Sequence, residues 1–305
     1  NGKLKNLLEQ YNSSADISPT AGQMPRLLGL AQASKIFRNV EGINQEGLSQ
    51  SGNEVAWGTI GNASTSEGMF FETINAAGVL QVPMVISIWD DDYGISVHAK
   101  HQTTKENISE ILSGFQRTET EAGFEIIRVK GWDYPALVDA FEQAGKIARE
   151  EHVPVLLHVT ELTQPQGHST SGSHERYKSK DRLNWEREHD CNAKMREWMI
   201  NNQIATDDEL QELEKQIKRN VREGKRKAWD AFLNPIKEEK KKVLKLLEAL
   251  VNESANGQFI NPIKKSLAEE KDALKTDVLT AARKALRFVA QEQSESITAL
   301  KNWVN

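Results

Sequence analysis

The pattern of apolar and polar positions changes near residue 181. Before that point, short apolar runs alternate with segments of helical period, and the run at 82–89 is continuous, as in a buried strand. The predicted strands cover 54–60, 82–89, 125–129 and 153–159, and the predicted helices cover 70–80, 108–115 and 136–149. Strands that alternate with helices predict an α/β fold with a parallel sheet flanked by helices.

Ligands of such sheets bind at the carboxyl ends of the strands. The loops that follow Ile60, Trp89 and Thr160 are therefore where we expect a site.

Beyond residue 181 strand signals stop and amphipathic helices take over. A charged helix is predicted at 207–231, then a loop at 256–262 and a last helix around Val278 and Leu286. After Pro235 an apolar stripe with spacing i, i+3, i+4, i+7 comprises Val243, Leu244, Leu246, Leu247, Leu250 and Val251. We interpret this helical extension as presenting a docking surface for another part of an assembly.

Composition narrows the class of protein. Of 305 residues 38% are hydrophobic and 27% charged, and the formal net charge of -5 gives no field that would gather nucleic acid. No window approaches the apolar length that a membrane span requires. A single cysteine, Cys191, excludes an internal disulfide and suits a reducing compartment, so we expect a cytoplasmic protein.

Three loops in the α/β part have candidate chemistry. The first, Gly-Asn-Ala-Ser-Thr-Ser-Glu-Gly at 61–68, has small residues and precedes a helix, where backbone N–H groups can receive an anion. The second, Asp-Asp-Asp-Tyr-Gly-Ile-Ser at 90–96, places three carboxylates at a strand end, either beside a cation such as Mg²⁺ or as a solvated acidic turn. The third, at 163–171, contains His168 among small hydroxyl residues, which suits proton exchange near neutral pH.

Together these loops resemble the alpha subunits of thiamine-diphosphate-dependent 2-oxo acid dehydrogenases of the branched-chain and pyruvate types. Segments 61–68 and 90–96 are similar to the two ends of that family's cofactor fingerprint, and Gly-His-Ser-Thr-Ser at 167–171 resembles its histidine loop. Further similarity lies at 18–25 and at 205–210, so that the resemblance covers about residues 17–235.

The resemblance implies roles for individual residues. Asn62, Asp91 and the backbone carbonyl of Tyr93 would hold Mg²⁺, with carboxylate and amide exchanged relative to the family pattern. His168 and Ser169 would be the catalytic residues. The implied thiamine-diphosphate-binding residues are Thr20, Gln23, Gly61, Asn62, Ala63, Ser64, Ile95 and His168.

The same comparison implies departures from the family. Trp89 stands where an arginine pairs with the diphosphate, and Asp90 and Asp92 add negative charge nearby. Thr20 replaces a leucine that supports the cofactor, and Gly22 replaces a threonine at a structural potassium site. The family's N-terminal segment is expected to be missing. These changes support the alternative that the chain is a catalytically degenerate structural subunit.

The function implied is oxidative decarboxylation of a 2-oxo acid, branched-chain or pyruvate, with acyl transfer to lipoamide. Its partners would be a beta subunit or fused beta module, in a heterotetramer, and a lipoyl-bearing acyltransferase. We expect a cofactor-binding domain at 1–200, a closing helical segment at 201–235 and a helical extension or linker to a beta module at 236–305. A transketolase-like enzyme is a further alternative, since it shares the two-ended fingerprint.

Overall fold

The computed structural model describes residues 19–164, 166–168 and 173–304. The chain divides into two compact units, Asn1–Thr206 and Asp207–Asn305. No helix in the described ranges is long and apolar enough to cross a membrane.

The first unit is built on a four-stranded parallel sheet. Its strands are β1 (Ala56–Gly61), β2 (Met84–Trp89), β5 (Glu125–Lys130) and β6 (Val155–Thr160), and a hairpin is formed by β3 (Tyr93–Gly94) and β4 (Val97–His98). The helices are α1 (Met24–Asn39), α2 (Gly68–Leu80), α3 (Ile108–Ile111), α4 (Tyr134–Glu151), α5 (Lys180–Glu188) and α6 (Cys191–Asn201). The sheet order is β1-β2-β6-β5.

Both faces of the sheet are covered, as its apolar runs require. Along β2, Met84, Ile86 and Ile88 pack into a core with residues of α1 and α2. Val85, which points to the opposite face, packs with Ala144 and other residues of α4. The predicted α/β fold, with a parallel sheet flanked by helices, is therefore confirmed.

The described residues of the second unit, 207–304, form four helices and the connections between them. The helices are α7 (Asp207–Glu253), α8 (Gly257–Glu269), α9 (Lys275–Phe288) and α10 (Glu295–Val304). The apolar stripe of α7 packs inside this unit, where Val243, Leu247 and Leu250 are fully buried against Ile260 and Val278. The helical C-terminal region is as predicted, but the prediction that the stripe forms a docking surface is wrong.

In the second unit, the helix ends predicted near Pro235 and Gly257 differ from those of the structure. We expected the charged helix to cover 207–231, but α7 continues through Pro235, because Leu233 and Ile236 extend its apolar face across the proline. The loop predicted at 256–262 is the first half of α8, whose Ile260 is fully buried. Gly257 is required there, since a Cβ would lie 2.1 Å from the carbonyl oxygen of Val251.

The predicted boundary between 201–235 and 236–305 thus falls inside one helix. The boundary between the two compact units lies after residue 206. The assignment of separate functions to the three segments stays a prediction.

Candidate functional site

The loops after β1, β2 and β6 meet at the carboxyl edge of the sheet. The backbone N–H of Asn62 donates to the carbonyl of Trp89 at 3.1 Å, and that of Asp90 donates to Val159 at 2.9 Å. The N–H of Leu162 returns to the carbonyl of Asp90 at 3.0 Å. The strands' parallel register therefore brings together the three loops in which a site was expected.

The first loop is compact and touches the hairpin that follows β2. Residues Ala63–Ser66 form a 3-10 turn, and the Thr65 hydroxyl donates to the carbonyl of Asn62 at 2.6 Å. The side chain of Asn62 is buried. A Cβ on Gly94 would lie 2.6 Å from the Cβ of Ala63, so glycine permits the two loops to approach this closely.

The three aspartates of the second loop have three different environments. Asp90 is buried and its Oδ2 lies 2.9 Å from Nε2 of His158, a fully buried residue of the neighbouring strand β6. Its other oxygen accepts the N–H of Asp92 at 2.9 Å. The Asp90 carboxylate is therefore directed into the protein and is hydrogen-bonded there.

The other side of His158 is held by a chain of hydrogen bonds. Oδ1 of Asn107 caps α3 by accepting the N–H of Glu110 at 3.1 Å, and it also accepts the hydroxyl of Ser109 at 2.9 Å. The Ser109 hydroxyl oxygen in turn lies 2.9 Å from Nδ1 of His158. His158 therefore links the N-terminal cap of α3 to the Asp90 carboxylate.

Asp92 pairs with a cation from α5. The Arg182 guanidinium contacts the Asp92 carboxylate and donates to the backbone carbonyl of Asp91 at 2.8 Å. It also donates from Nε to Glu186 at 2.9 Å, and Glu186 accepts from Lys178 at 2.7 Å. The Lys178 and Glu186 side chains are only 1% and 2% exposed. Arg182 thus holds both the side chain and the backbone of the acidic loop.

Asp91 is the carboxylate of this loop that its surroundings compensate least. It is 8% exposed, and its Oδ1 accepts the N–H of Tyr93 at 3.2 Å. Burial raises its pKa, although that N–H and the charges of Lys178 and Arg182 oppose the effect. A desolvated carboxylate next to the first loop is a suitable ligand for a cation, whose charge would replace the lost hydration.

Ile95 is the most unusual residue of the second loop in its backbone. Its φ of 59° lies in the left-handed region, which a β-branched side chain rarely adopts, and 60% of its side chain is exposed. Asp92, with a φ of 68°, shares that region. Strain of this kind is held by surrounding contacts and collects at functional loops.

The third loop is described in part. His168 is exposed, and its backbone is a hydrogen-bond partner of the Tyr177 hydroxyl. Burial raises the pKa of Tyr177, and the nearby carboxylates of Asp91 and Glu186 add to that effect. The His168 segment therefore ends near the acidic loop. Ser169, the second predicted catalytic residue, lies outside the described residues.

The remaining predicted cofactor residues lie in varied surroundings. Thr20 is exposed, and Gln23 precedes α1 and lines a cavity of about 770 Å³ together with Trp57 and Thr59. Gly61 and Ser64 lie in the first loop beside Asn62 and Ala63. Trp89 is 53% exposed, and its indole N–H donates to the Ser87 hydroxyl at 2.9 Å.

The candidate metal ligands are a mixed set of oxygen donors and not a cluster of acidic side chains. In the described part of the chain no three histidine, cysteine or acidic side chains gather in a way that could hold a metal. The implied ligand set contains one carboxylate, one amide and one backbone carbonyl, which are all oxygen donors of the kind that Mg²⁺ prefers. Pairing of Asp90 and Asp92 within the protein leaves Asp91 as the carboxylate available for this purpose.

Sequence reasoning missed the residues that support the acidic loop. A spacing of four residues predicts that Lys178, Arg182 and Glu186 share one helix face. It does not predict that this face contacts the acidic loop. His158 interrupts an apolar strand, and a polar residue in such a run was the available sign of a buried partner.

The chain is similar to known proteins of one kind. The family described as dehydrogenase E1 component matches residues 10–237. The alpha subunit of the pyruvate dehydrogenase E1 component from Rickettsia bellii is 24% identical over 172 residues, which cover 56% of this chain and 50% of that protein.

Two other relatives belong to the branched-chain type. The mitochondrial 2-oxoisovalerate dehydrogenase subunit alpha 1 of Arabidopsis thaliana is 28% identical over 187 residues, covering 61% of this chain and 35% of its own length. The corresponding alpha subunit of Dictyostelium discoideum is 25% identical over 259 residues, covering 79% and 54%.

The parallel α/β fold, with three loops at its carboxyl edge, agrees with the dehydrogenase E1 component class. The chain belongs to the dehydrogenase E1 component family, as the resemblance predicted. It spans about half the length of the curated relatives that it matches.

Proposed function

We propose that this chain is the alpha part of a thiamine-diphosphate-dependent 2-oxo acid dehydrogenase, which acts on pyruvate or a branched-chain 2-oxo acid. The observation that carries the proposal is Asp91, a buried carboxylate with a raised pKa on the loop after β2, which approaches the loop after β1 at Gly94 and Ala63. Membership of the dehydrogenase E1 component family supports the same reaction class.

In this proposal Asn62, Asp91 and the carbonyl of Tyr93 hold Mg²⁺, and the amides of Ala63 and Ser64 receive the diphosphate. Thiamine diphosphate supplies, when bound, the carbanion-stabilising chemistry that allows a 2-oxo acid to release CO₂. Arg182 keeps the carbonyl of Asp91 fixed, so the Asp91 side chain is presented from a rigid loop.

His168 would assist acyl transfer to lipoamide from its exposed position on the third loop, together with Ser169. Thr20, Gln23, Gly61 and Ile95 would line the cofactor. The partners proposed are a beta subunit or fused beta module in a heterotetramer and a lipoyl-bearing acyltransferase, in the cytoplasm.

The test exchanges the carboxylate and the amide between the two proposed metal ligands. Mn²⁺ is titrated into the full chain with thiamine diphosphate, and free Mn²⁺ is followed by electron paramagnetic resonance. We expect saturable, cofactor-dependent binding that Asp91→Asn weakens by about tenfold or more, because the only charge among the protein ligands is lost. The double variant Asn62→Asp with Asp91→Asn restores one carboxylate and should recover most of the affinity.

Asp230→Asn, a change at an exposed position of α7, is the matched control and should leave binding unaltered. Equal loss of Mn²⁺ affinity in Asp91→Asn and in the control, or no gain of affinity in the double variant, would contradict the assignment of Asn62 and Asp91 as a ligand pair.

A degenerate structural subunit is the second candidate function. Trp89 occupies the place where the resemblance implies an arginine for the diphosphate, and Arg182 satisfies the acidic loop without any ligand. This reading predicts no cofactor-dependent Mn²⁺ binding at millimolar concentration, even with a beta partner present.

A further inference from the structure

A cavity of about 430 Å³ lies within the helical unit, between one face of α7 and the connection from α8 to α9. Its apolar lining is aliphatic and consists of Leu233, Ile236, Leu244 and Ala273. Leu233 and Ala273 are 6% and 7% exposed. The volume falls within the range of small-molecule pockets, about 300–1,000 Å³.

The charged residues of α7 are sorted around this cavity. Of the five lysines between residues 237 and 245, four line it, whereas Lys242, Glu238 and Glu239 do not. The four are Lys237, Lys240, Lys241 and Lys245, and Lys271 joins them from the opposite wall. Most lysines of this segment therefore lie on the face of α7 that borders the cavity.

One of these lysines has a structural role. Nζ of Lys240 donates to the carbonyls of Ala268, at 3.2 Å, and Glu270, and so ties α7 to the end of α8. The other α7 lysines of the cavity, 237, 241 and 245, follow one another at i, i+4 and i+8, where like charges repel.

The carboxylates at the cavity do not balance these cations. Glu248 also lines the cavity, but its carboxylate is paired with Lys264 of α8. Asp272 is the other acidic residue of the lining. Five lysines against two carboxylates, one of them already paired, leave a positive rim above an aliphatic floor.

We propose that this cavity binds a medium-chain aliphatic carboxylate. The chain of such a ligand would cover Leu233, Ile236 and Leu244, and its carboxylate would lie among Lys241, Lys245 and Lys271. Lysine suits this task, because its ammonium is a point charge on a flexible stem that does not demand a planar, bidentate partner. The cavity lies wholly within the helical unit, so the inference is independent of the cofactor site.

Calorimetric titration of the full chain with decanoate tests the proposal. Saturable binding of one molecule per chain is expected, with no measurable heat of binding for butyrate, which lacks the apolar chain, or for decyltrimethylammonium, which has the opposite charge. The double variant Lys241→Glu with Lys245→Glu should weaken decanoate binding by about tenfold or more, since two attractive charges become repulsive.

The matched control is Lys242→Glu with Lys284→Glu, which makes the same change of net charge at exposed lysines of the helical unit outside the cavity lining. It should leave the affinity within about twofold, because neither side chain lines the cavity. Circular dichroism of both variants verifies that the helices are retained.

Three results would overturn the proposal. They are the absence of saturable decanoate binding, equal loss of affinity in the control variant, and binding to phosphatidylglycerol vesicles without binding of monomeric decanoate. The last outcome would assign the lysines to a membrane surface.

Discussion

The two units use charged residues in opposite ways. In the α/β unit the ion pair that supports the acidic loop is buried, since the side chains of Lys178 and Glu186 are 1% and 2% exposed. In the helical unit the pairs lie at the surface, as in Lys227 and Glu223, which are 71% and 53% exposed. The same residue types therefore determine loop geometry in one unit and solvate helices in the other, while apolar packing stabilises the helical unit.

The largest effect that separates the two kinds of pair should follow from Glu186→Leu. Lys178 would stay buried without its carboxylate and Arg182 would lose one partner, so we expect a loss of about 3–5 kcal/mol in the free energy of unfolding. Urea unfolding followed by tryptophan fluorescence measures it. Glu223→Ala in α7 is the control and should cost at most about 1 kcal/mol. Similar costs for the two variants would contradict the distinction.

A second change tests whether packing carries the stability of the helical unit. Leu250→Ala opens a cavity at a fully buried position of α7 and should cost about 2–5 kcal/mol. Val221→Ala, at a position 65% exposed on the same helix, should alter stability by no more than about 0.5 kcal/mol. Urea unfolding followed by circular dichroism reports the difference, and comparable losses would mean that the stripe is not the core of this unit.

The sheet could be predicted from sequence because each strand is recognisable from the apolar pattern of its own residues. An apolar run such as 82–89 can be satisfied only by burial on both faces, and alternation with helices then fixes a parallel order. The same reasoning indicated the loops after Ile60, Trp89 and Thr160 as the place of a site, and the backbone hydrogen bonds of Asn62 and Asp90 show that these loops lie together.

The partners of the acidic loop could not be predicted, because they come from distant parts of the chain. Arg182 contacts Asp92 across 90 residues, and His158 contacts Asp90 across 68. Periodicity reports which face a residue occupies but not the residue opposite it. Helix ends near Pro235 and Gly257 failed for a related reason, since burial of Leu233 and Ile260 outweighs local helix-breaking tendency.

Ser109→Ala should cause a smaller loss in the free energy of unfolding. It tests the hydrogen bonds that hold His158 beside Asp90. The variant removes the hydrogen-bond partner of Nδ1 of His158, and an unsatisfied buried polar atom costs about 1–3 kcal/mol. Chemical denaturation measures this cost. Ser113→Ala, at an exposed serine four residues further along the chain, is the control. A neutral Ser109→Ala would contradict a stabilising role for the contact between Ser109 and His158.

The smallest predicted effect concerns Asp91. Removing its charge should stabilise the chain, whereas removing the charge of Glu186 should destabilise it. Because burial raises the pKa of Asp91, the native chain holds its proton to higher pH than the unfolded chain, whose carboxyl titrates near 3.8. Stability is therefore lost as pH rises from 3.8 through the native pKa, and the loss is complete above it.

Asp91→Asn removes this loss and keeps an oxygen that can accept the N–H of Tyr93. We expect the variant, free of metal, to be more stable than the parent chain at pH 7 by up to about 1 kcal/mol, with the difference disappearing in acid. Thermal unfolding between pH 3.5 and 7 in a chelating buffer measures it, with Asp230→Asn as the exposed control. A destabilised Asp91→Asn at pH 7 would show that Lys178 and Arg182 already satisfy this carboxylate, and the argument for a cation at Asp91 would then lose its physical basis.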